Sequence, residues 1–290
     1  MSVLAPSPLA RRRRLHDRLA TAGMVVALAV TLAPLLWVLV FVAGQGLKYL
    51  GPQFLANNPP GNVSLGGGGF YNGIVGTVEI VGIATMLATP VGILAAVYLV
   101  EYGRGRLAAI VRFVTDVLVG VPTIVIGAFV YSFWVLRYGF SGFAGSIALA
   151  IVMVPIVVRS TEEMLKLVPD DLREAAYALG VPRWRTVLSV VLPSAAAGIT
   201  TGVMLAVARA AGETAPLLLT TLGNDLFTEY NPSHRMSTLS LEIFGNAITG
   251  FQAAQGRAWA GALTLIGLVL GLTLIARIVS GRSDRALRRQ

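Results

Sequence analysis

Leu19–Leu47 is a run of 29 residues without a single charge. As a helix it would reach about 43 Å at 1.5 Å per residue, more than the roughly 30 Å hydrocarbon core of a bilayer. Lipid offers no hydrogen-bonding partner, so every peptide group in such a run must be satisfied within the segment, and the run is a helix. Five further stretches have the length and apolarity of a span: Ile74–Val100, broken only by Glu79; Val117–Leu136; Tyr138–Val158; Pro193 to about Leu219, which contains Arg209 and Glu213; and Ala258–Ala276. The expected class is therefore an all-α integral membrane protein with six transmembrane helices. Only 13% of the chain is charged, against about 25% in soluble domains.

The net charge of +9 is a topology signal before it is a binding signal. With the N-terminus in the cytoplasm, 18 of the 23 basic residues fall on the cytoplasmic side, from Arg11–Arg14 through Arg104, Arg159, Arg173 and Arg183 to Arg289. Lys48, Arg137, Arg235 and Arg257 lie outside, and Arg209 lies within a span. The bias follows the positive-inside rule, places both termini in the cytoplasm and removes the case for nucleic acid. Arg11–Arg14 before an apolar run resembles the start of a signal peptide, but the run is too long for one, so the first helix is expected to be retained. The expected division is a basic segment 1–18, a first helix and outer loop 19–72, a membrane-spanning bundle 73–280 and a basic tail 281–290.

Several classes of chemistry are excluded by residue type. The chain has no cysteine, so it has neither disulfides nor thiolate metal ligands. His16 and His234 lie in polar segments and read as solvated side chains, and no metal site is expected. An integral-membrane enzyme needs a cluster of acid–base groups or ligands at one membrane face, and the charges here are scattered. Gly66–Gly69 runs into Phe70 and Tyr71 rather than the Lys-Ser or Lys-Thr of a phosphate-binding loop. Any ATP hydrolysis belongs to another subunit.

The cytoplasmic segment 159–193 is far longer than a turn between two helices needs. Leu165–Leu179 reads as a helix: Asp170 and Asp171 suit its N-terminal dipole, Gly180 its C-cap, and Pro182 stops it. A second short helix, about Arg183–Val191, turns the chain into the fifth span at Leu192-Pro193. Two short helices at an angle make a knob below the membrane.

In that knob Glu174-Ala175-Ala176, then Gly180, Val190 and Leu192-Pro193 resemble the EAA motif of permease subunits of binding-protein-dependent ABC importers; Val190 stands for the usual Ile. The resemblance implies the type I (MetI-like) permease fold and a bacterial plasma (inner) membrane location. It also implies that Glu174, Ala175, Ala176, Gly180, Leu192 and Pro193 dock on a cytoplasmic ATPase that binds ATP and Mg. Further stretches are similar to the A-type permeases of high-affinity phosphate (Pst) importers. They are Gly76-Thr77, Tyr98–Tyr102, Gly120–Gly127, Val168-Pro169 with Leu172–Glu174, and Arg209–Leu218. This narrower resemblance implies a homologous C-type permease, two ATPase subunits and an extracytoplasmic phosphate-binding protein as partners. A permease for molybdate, sulfate or an organic solute is the alternative.

Arg209 and Glu213 are four residues apart, which on one helix puts them on one face. A charge at bilayer depth costs about 2.5–3.5 kcal/mol on insertion scales, so such a pair is expected to face a bundle interior or a substrate path. Guanidinium offers a planar fork of donors suited to phosphate oxygens, while a structural ion pair between helices is the bland reading. Arg209, Glu213, Thr214 and Glu79 are the candidate pathway residues, with Glu79 a second partner for Arg209. Asp116 is expected to pair with Arg112 at the membrane interface. Gly198 and Gly202 are spaced for close helix approach.

Overall fold

The computed structural model describes residues 8–287; residues 1–7 of the basic N-terminal segment and 288–290 of the tail lie outside them. Among the described residues all regular structure is helical, with two long outer connections at 57–70 and 221–238. Helix α1 spans Pro8–Gly46, α2 Pro52–Ala56 and α3 Tyr71–Tyr102, whose last five residues form a π turn. Then come α4 (Arg106–Gly120), α5 (Thr123–Tyr138) and α6 (Gly142–Lys166). The second half holds α7 (Asp170–Ala178), α8 (Arg183–Ala211), α9 (Ala215–Thr220), α10 (Leu239–Ala247) and α11 (Gln252–Leu287). Five helices are long and apolar enough to cross a membrane, and α4 with α5 makes a sixth, broken span.

The core sits where α3, α6 and α8 meet, around Ile80, Ala84, Leu149, Met153, Val157, Ala206 and Ala210. Close approach of α8 to α6 depends on the two glycines singled out by spacing. A Cβ on Gly198 would overlap Met164, and one on Gly202 would overlap Ser160. Helix α1 stands apart, packed along α11, with Trp37 75% and Val40 72% exposed. Apolar side chains left uncovered in this way require lipid or a second subunit as their neighbour.

The structure corrects the sequence reading at four places. The third run is not one straight helix: α4 and α5 meet at 105°. Pro122 has no amide proton and forces Val121 out of the helical region, to φ −72° and ψ 128°. Average hydropathy cannot register such a break. The fourth span begins at Gly142, after Gly139 at φ 85° and a Ser141 cap that accepts from Ala144 N at 3.2 Å, and runs on to Lys166. The knob holds one separate helix, not two. Pro169 ends the fourth span's overrun and starts α7, whereas Arg183–Val191 is continuous with the fifth span through a π turn at Val187–Val191. Finally, the fifth span stops at Ala211, capped by Gly212, so Glu213 lies beyond it and Leu219 belongs to α9.

Candidate functional site

The knob is built as the sequence suggests at its turn. Gly180 sits at φ +76°, and its neighbour Val181 N bonds Ala176 O at 3.1 Å while Gly180 N bonds Tyr177 O at 2.9 Å. This is the double closure of a helix end by a left-handed residue. Ala176 is buried, whereas Glu174, Ala175 and Gly180 face out with Tyr177, Trp184 and Leu179, the last 84% exposed. Among the described residues Glu174 has no ion pair or hydrogen bond. The knob thus offers a carboxylate and apolar side chains to something outside the chain.

What ties the knob to the bundle is a buried ion pair that sequence reasoning missed. Glu101, 4% exposed in the π turn ending α3, accepts from Arg173 Nε at 3.1 Å and Nη2 at 3.0 Å. Arg173 also donates to Val168 O at 2.6 Å and Leu165 O at 3.0 Å, locking the junction of α6 and α7. Arg183, at the start of α8, bonds Glu101 O and lies over the Tyr102 ring at 5.0 Å. One residue therefore gathers α3, α7 and α8. The signal in the sequence was a carboxylate closing an apolar span, which spacing alone does not pair with a partner 72 residues away.

Nearby, Arg112 and Asp116 do not pair with each other. Arg112 bonds Glu162 at 3.2 Å, Lys166 joins the same carboxylate at 2.8 Å, and Asp116 pairs with Arg159. Helix α4 is thereby held along α6. Tertiary partners won over the local four-residue spacing because Glu162 is 3% exposed and needs cations.

At the other end of α8, Arg209 Nε lies 3.6 Å from Glu213 Oε1, with Arg209 54% and Glu213 16% exposed. Arg209 borders a small pocket of about 20 Å³ with Leu118, Val119, Val121, Thr123 and Ile126 around the bend, and Val152, Pro155 and Ile156 of α6. The two stretches Gly120–Gly127 and Arg209–Leu218 therefore meet in space. Gly127 lies so close to α9 that a Cβ there would stand 2.6 Å from Pro216 Cα. Thr214 stands at the N-terminal position of α9 without a side-chain cap bond, and Glu213 O accepts from Ser240 Oγ at 2.8 Å. Glu79 is not brought to Arg209: among the described residues Arg209 pairs with Glu213, and the charge acting on Glu79 is Glu229 of the outer connection.

That outer connection is pinned to α3 by Gly76-Thr77. Thr77 Oγ1 donates to Gly73 O at 2.7 Å and accepts from Leu239 N at 2.8 Å, and a Cβ on Gly76 would overlap Ser237 O. Behind it Glu242 is buried, held by Asn72 Nδ2 at 2.6 Å. Burial and the neighbouring Asp225 push its carboxyl up to about 8. His234 is 61% exposed and sits 3.1 Å from Glu229.

The sequence profile of the family described as "Binding-protein-dependent transport system inner membrane component" matches residues 88–289. This chain belongs to that family. The permease is 44% identical over 270 residues to the "Phosphate transport system permease protein PstA" of Yersinia pestis, covering 92% of this chain and 90% of the relative. It is 42% identical over 288 residues to "PstA 1" of Mycobacterium tuberculosis, covering 94% and 91%. Its fold matches a chain of a bacterial alginate ABC transporter with a TM-score of 0.66 at 15% identity, covering 93% of this chain and 96% of that one. A chain of the inward-facing MetNI methionine transporter matches with a TM-score of 0.56 at 18% identity, covering 74% and 94%. The permease is thus an integral membrane component of an ABC importer, with the MetI-like architecture.

Proposed function

We propose that this permease forms half of the pore of an ATP-driven phosphate importer in the bacterial inner membrane. The observation that carries the reading is Arg209: a half-exposed guanidinium at the end of a span, beside a broken helix, with one carboxylate next to it. The phosphate-transport names of relatives more than 40% identical over most of the chain support the same substrate. Guanidinium binds a tetrahedral oxyanion through paired donors. Glu213 holds it when the path is empty, and accepts a hydrogen bond from a phosphate hydroxyl, a donor that fully ionised sulfate lacks. Thr214 adds a hydroxyl at the same turn, and Glu79 lines the outer approach.

The partners are a homologous C-type permease, two ATPase subunits holding ATP and Mg, and an extracytoplasmic phosphate-binding protein. The exposed knob Glu174–Pro193 meets the ATPase. Glu101–Arg173 carries its movement to α3, and the continuous helix α8 carries it to Arg209. The test is uptake of labelled phosphate and labelled sulfate by cells whose only phosphate importer contains this chain. Phosphate uptake that tenfold excess sulfate leaves intact is expected; transport of sulfate, molybdate or an organic solute in its place overturns the substrate assignment.

A further inference from the structure

At the end of the bundle opposite the knob, the cluster around Glu242 is short of positive charge. Among the described residues five buried side-chain atoms lack a hydrogen-bond partner, and three of them, Asn72 Oδ1, Ser237 Oγ and Glu242 Oε2, belong to this one place. Native interiors satisfy nearly all such atoms with protein, water or an ion, so three together mark a place built to receive polar ligands from outside the chain. They come from three segments: the start of α3, the outer connection and α10. Their residues are each no more than 3% exposed.

The local bonds leave these oxygens with nothing to accept. Asn72 Nδ2 donates to Glu242 Oε1 at 2.6 Å and to Asn224 O at 2.8 Å, which uses the amide protons and leaves its oxygen over. The Ser237 hydroxyl and the Asp225 carboxyl both lie within reach of the Glu242 carboxyl and act on it, so the four side chains converge on one point. The basic group acting on Glu242 is Arg257, but its guanidinium is committed to backbone: Nη1 to Leu65 O at 2.6 Å and Nη2 to Val63 O at 2.8 Å. Asp225 is exposed and borders a cavity of about 800 Å³ that opens between the outer loops, so water and ions reach the cluster from that side.

We infer that Glu242, Asp225, Asn72 and Ser237 hold a hard divalent cation of the calcium class, completed by water from the outer cavity. Every free ligand atom is an oxygen, and neither nitrogen nor sulfur is offered, which selects against zinc and copper. Two carboxylates balance a double charge once Glu242 gives up its proton on the cation's arrival. Calcium tolerates an irregular set of six to eight oxygens, whereas magnesium demands a near-ideal octahedron. Bound there, the ion joins α3 to α10 and to the 223–238 connection, the part of the outer surface nearest the approach to Glu79.

The test is calorimetric titration of the purified full-length chain in detergent with calcium chloride and with magnesium chloride, alongside its thermal unfolding in EDTA and in calcium. The wild type is expected to bind calcium at least tenfold more tightly than magnesium and to melt several degrees higher with calcium. Asp225→Asn, at an exposed position that leaves the fold intact, is expected to weaken calcium at least tenfold, and Glu242→Gln to abolish binding. A wild type with neither heat nor a melting shift at millimolar calcium overturns the site. So does a Glu242→Gln protein that melts higher than wild type in EDTA while wild type ignores calcium, since the two carboxyls then share a proton instead. Equal binding of magnesium overturns the calcium assignment.

Discussion

Arg173 places two guanidinium nitrogens, Nε at 3.1 Å and Nη2 at 3.0 Å, on the single oxygen Oε1 of Glu101. Both side chains are largely buried, 12% and 4% exposed. Removing one partner of such a pair strands the other charge, at a cost of about 3–5 kcal/mol. Glu101→Ala is therefore expected to loosen α7 from α3 while the apolar spans still insert. The readout is phosphate transported per ATP hydrolysed by the assembled importer. The ratio falls sharply in the variant; an unchanged ratio removes Glu101 from the route between knob and bundle.

Arg209 tests recognition. Arg209→Lys keeps the charge and loses the fork, and loss of one charge-assisted bond of about 1.5–3 kcal/mol corresponds to roughly tenfold or more in transport efficiency. Labelled phosphate uptake measures it. Near-normal uptake by the lysine variant shows that the guanidinium serves as a structural ion pair with Glu213.

The bend at Pro122 separates pathway from coupling. Pro122→Ala restores an amide proton at the 105° break between α4 and α5, freeing the two legs to approach one helix. The pocket beside Arg209 then changes shape while the knob is untouched. Uptake is expected to fall with the ATPase still co-purifying. Loss of the ATPase as well shows that the variant damages the fold as a whole.

Two glycines on α3 give opposite outcomes. A methyl at Gly76 would overlap the Ser237 carbonyl, while one at Gly82 would meet nothing within 4 Å. Gly76→Ala is expected to lower the unfolding midpoint and the yield. Gly82→Ala is expected to be neutral or to stabilise by up to about 1 kcal/mol, since alanine is the better helix former. Fluorescence-detected melting of the two purified variants decides it.

Much of this was legible in the residues. The uncharged runs located the spans, Gly180 marked the end of the knob helix, and Gly198 and Gly202 marked the seam between α6 and α8. What failed was whatever depended on distant partners or a single backbone break. Pro34, Pro90, Pro122 and Pro155 all fall inside apolar runs, and the sequence does not show that Pro122 alone breaks its helix while the others stay within theirs. Arg112 and Asp116 have the spacing of a local pair, yet each is drawn to α6 by Glu162 and Arg159. Glu213 kept its partner although the helix ends before it, because Gly212 turns the chain without carrying it away. Glu101 and Glu242 were invisible as sites, since burial and the partners that meet them are properties of the folded chain.

We propose that a cytoplasmic motor takes hold at the knob. The chain has no cysteine and Leu179 is 84% exposed at the knob's tip, so Leu179→Cys introduces a single thiol there. Crosslinking that thiol in the assembled importer, with membrane-impermeant reagent applied from either side, is the most direct measurement. The account predicts a crosslink to the ATPase subunit that changes with bound nucleotide, and labelling from the cytoplasmic side alone. Labelling from outside, or a thiol that reaches no ATPase in any nucleotide state, would contradict it.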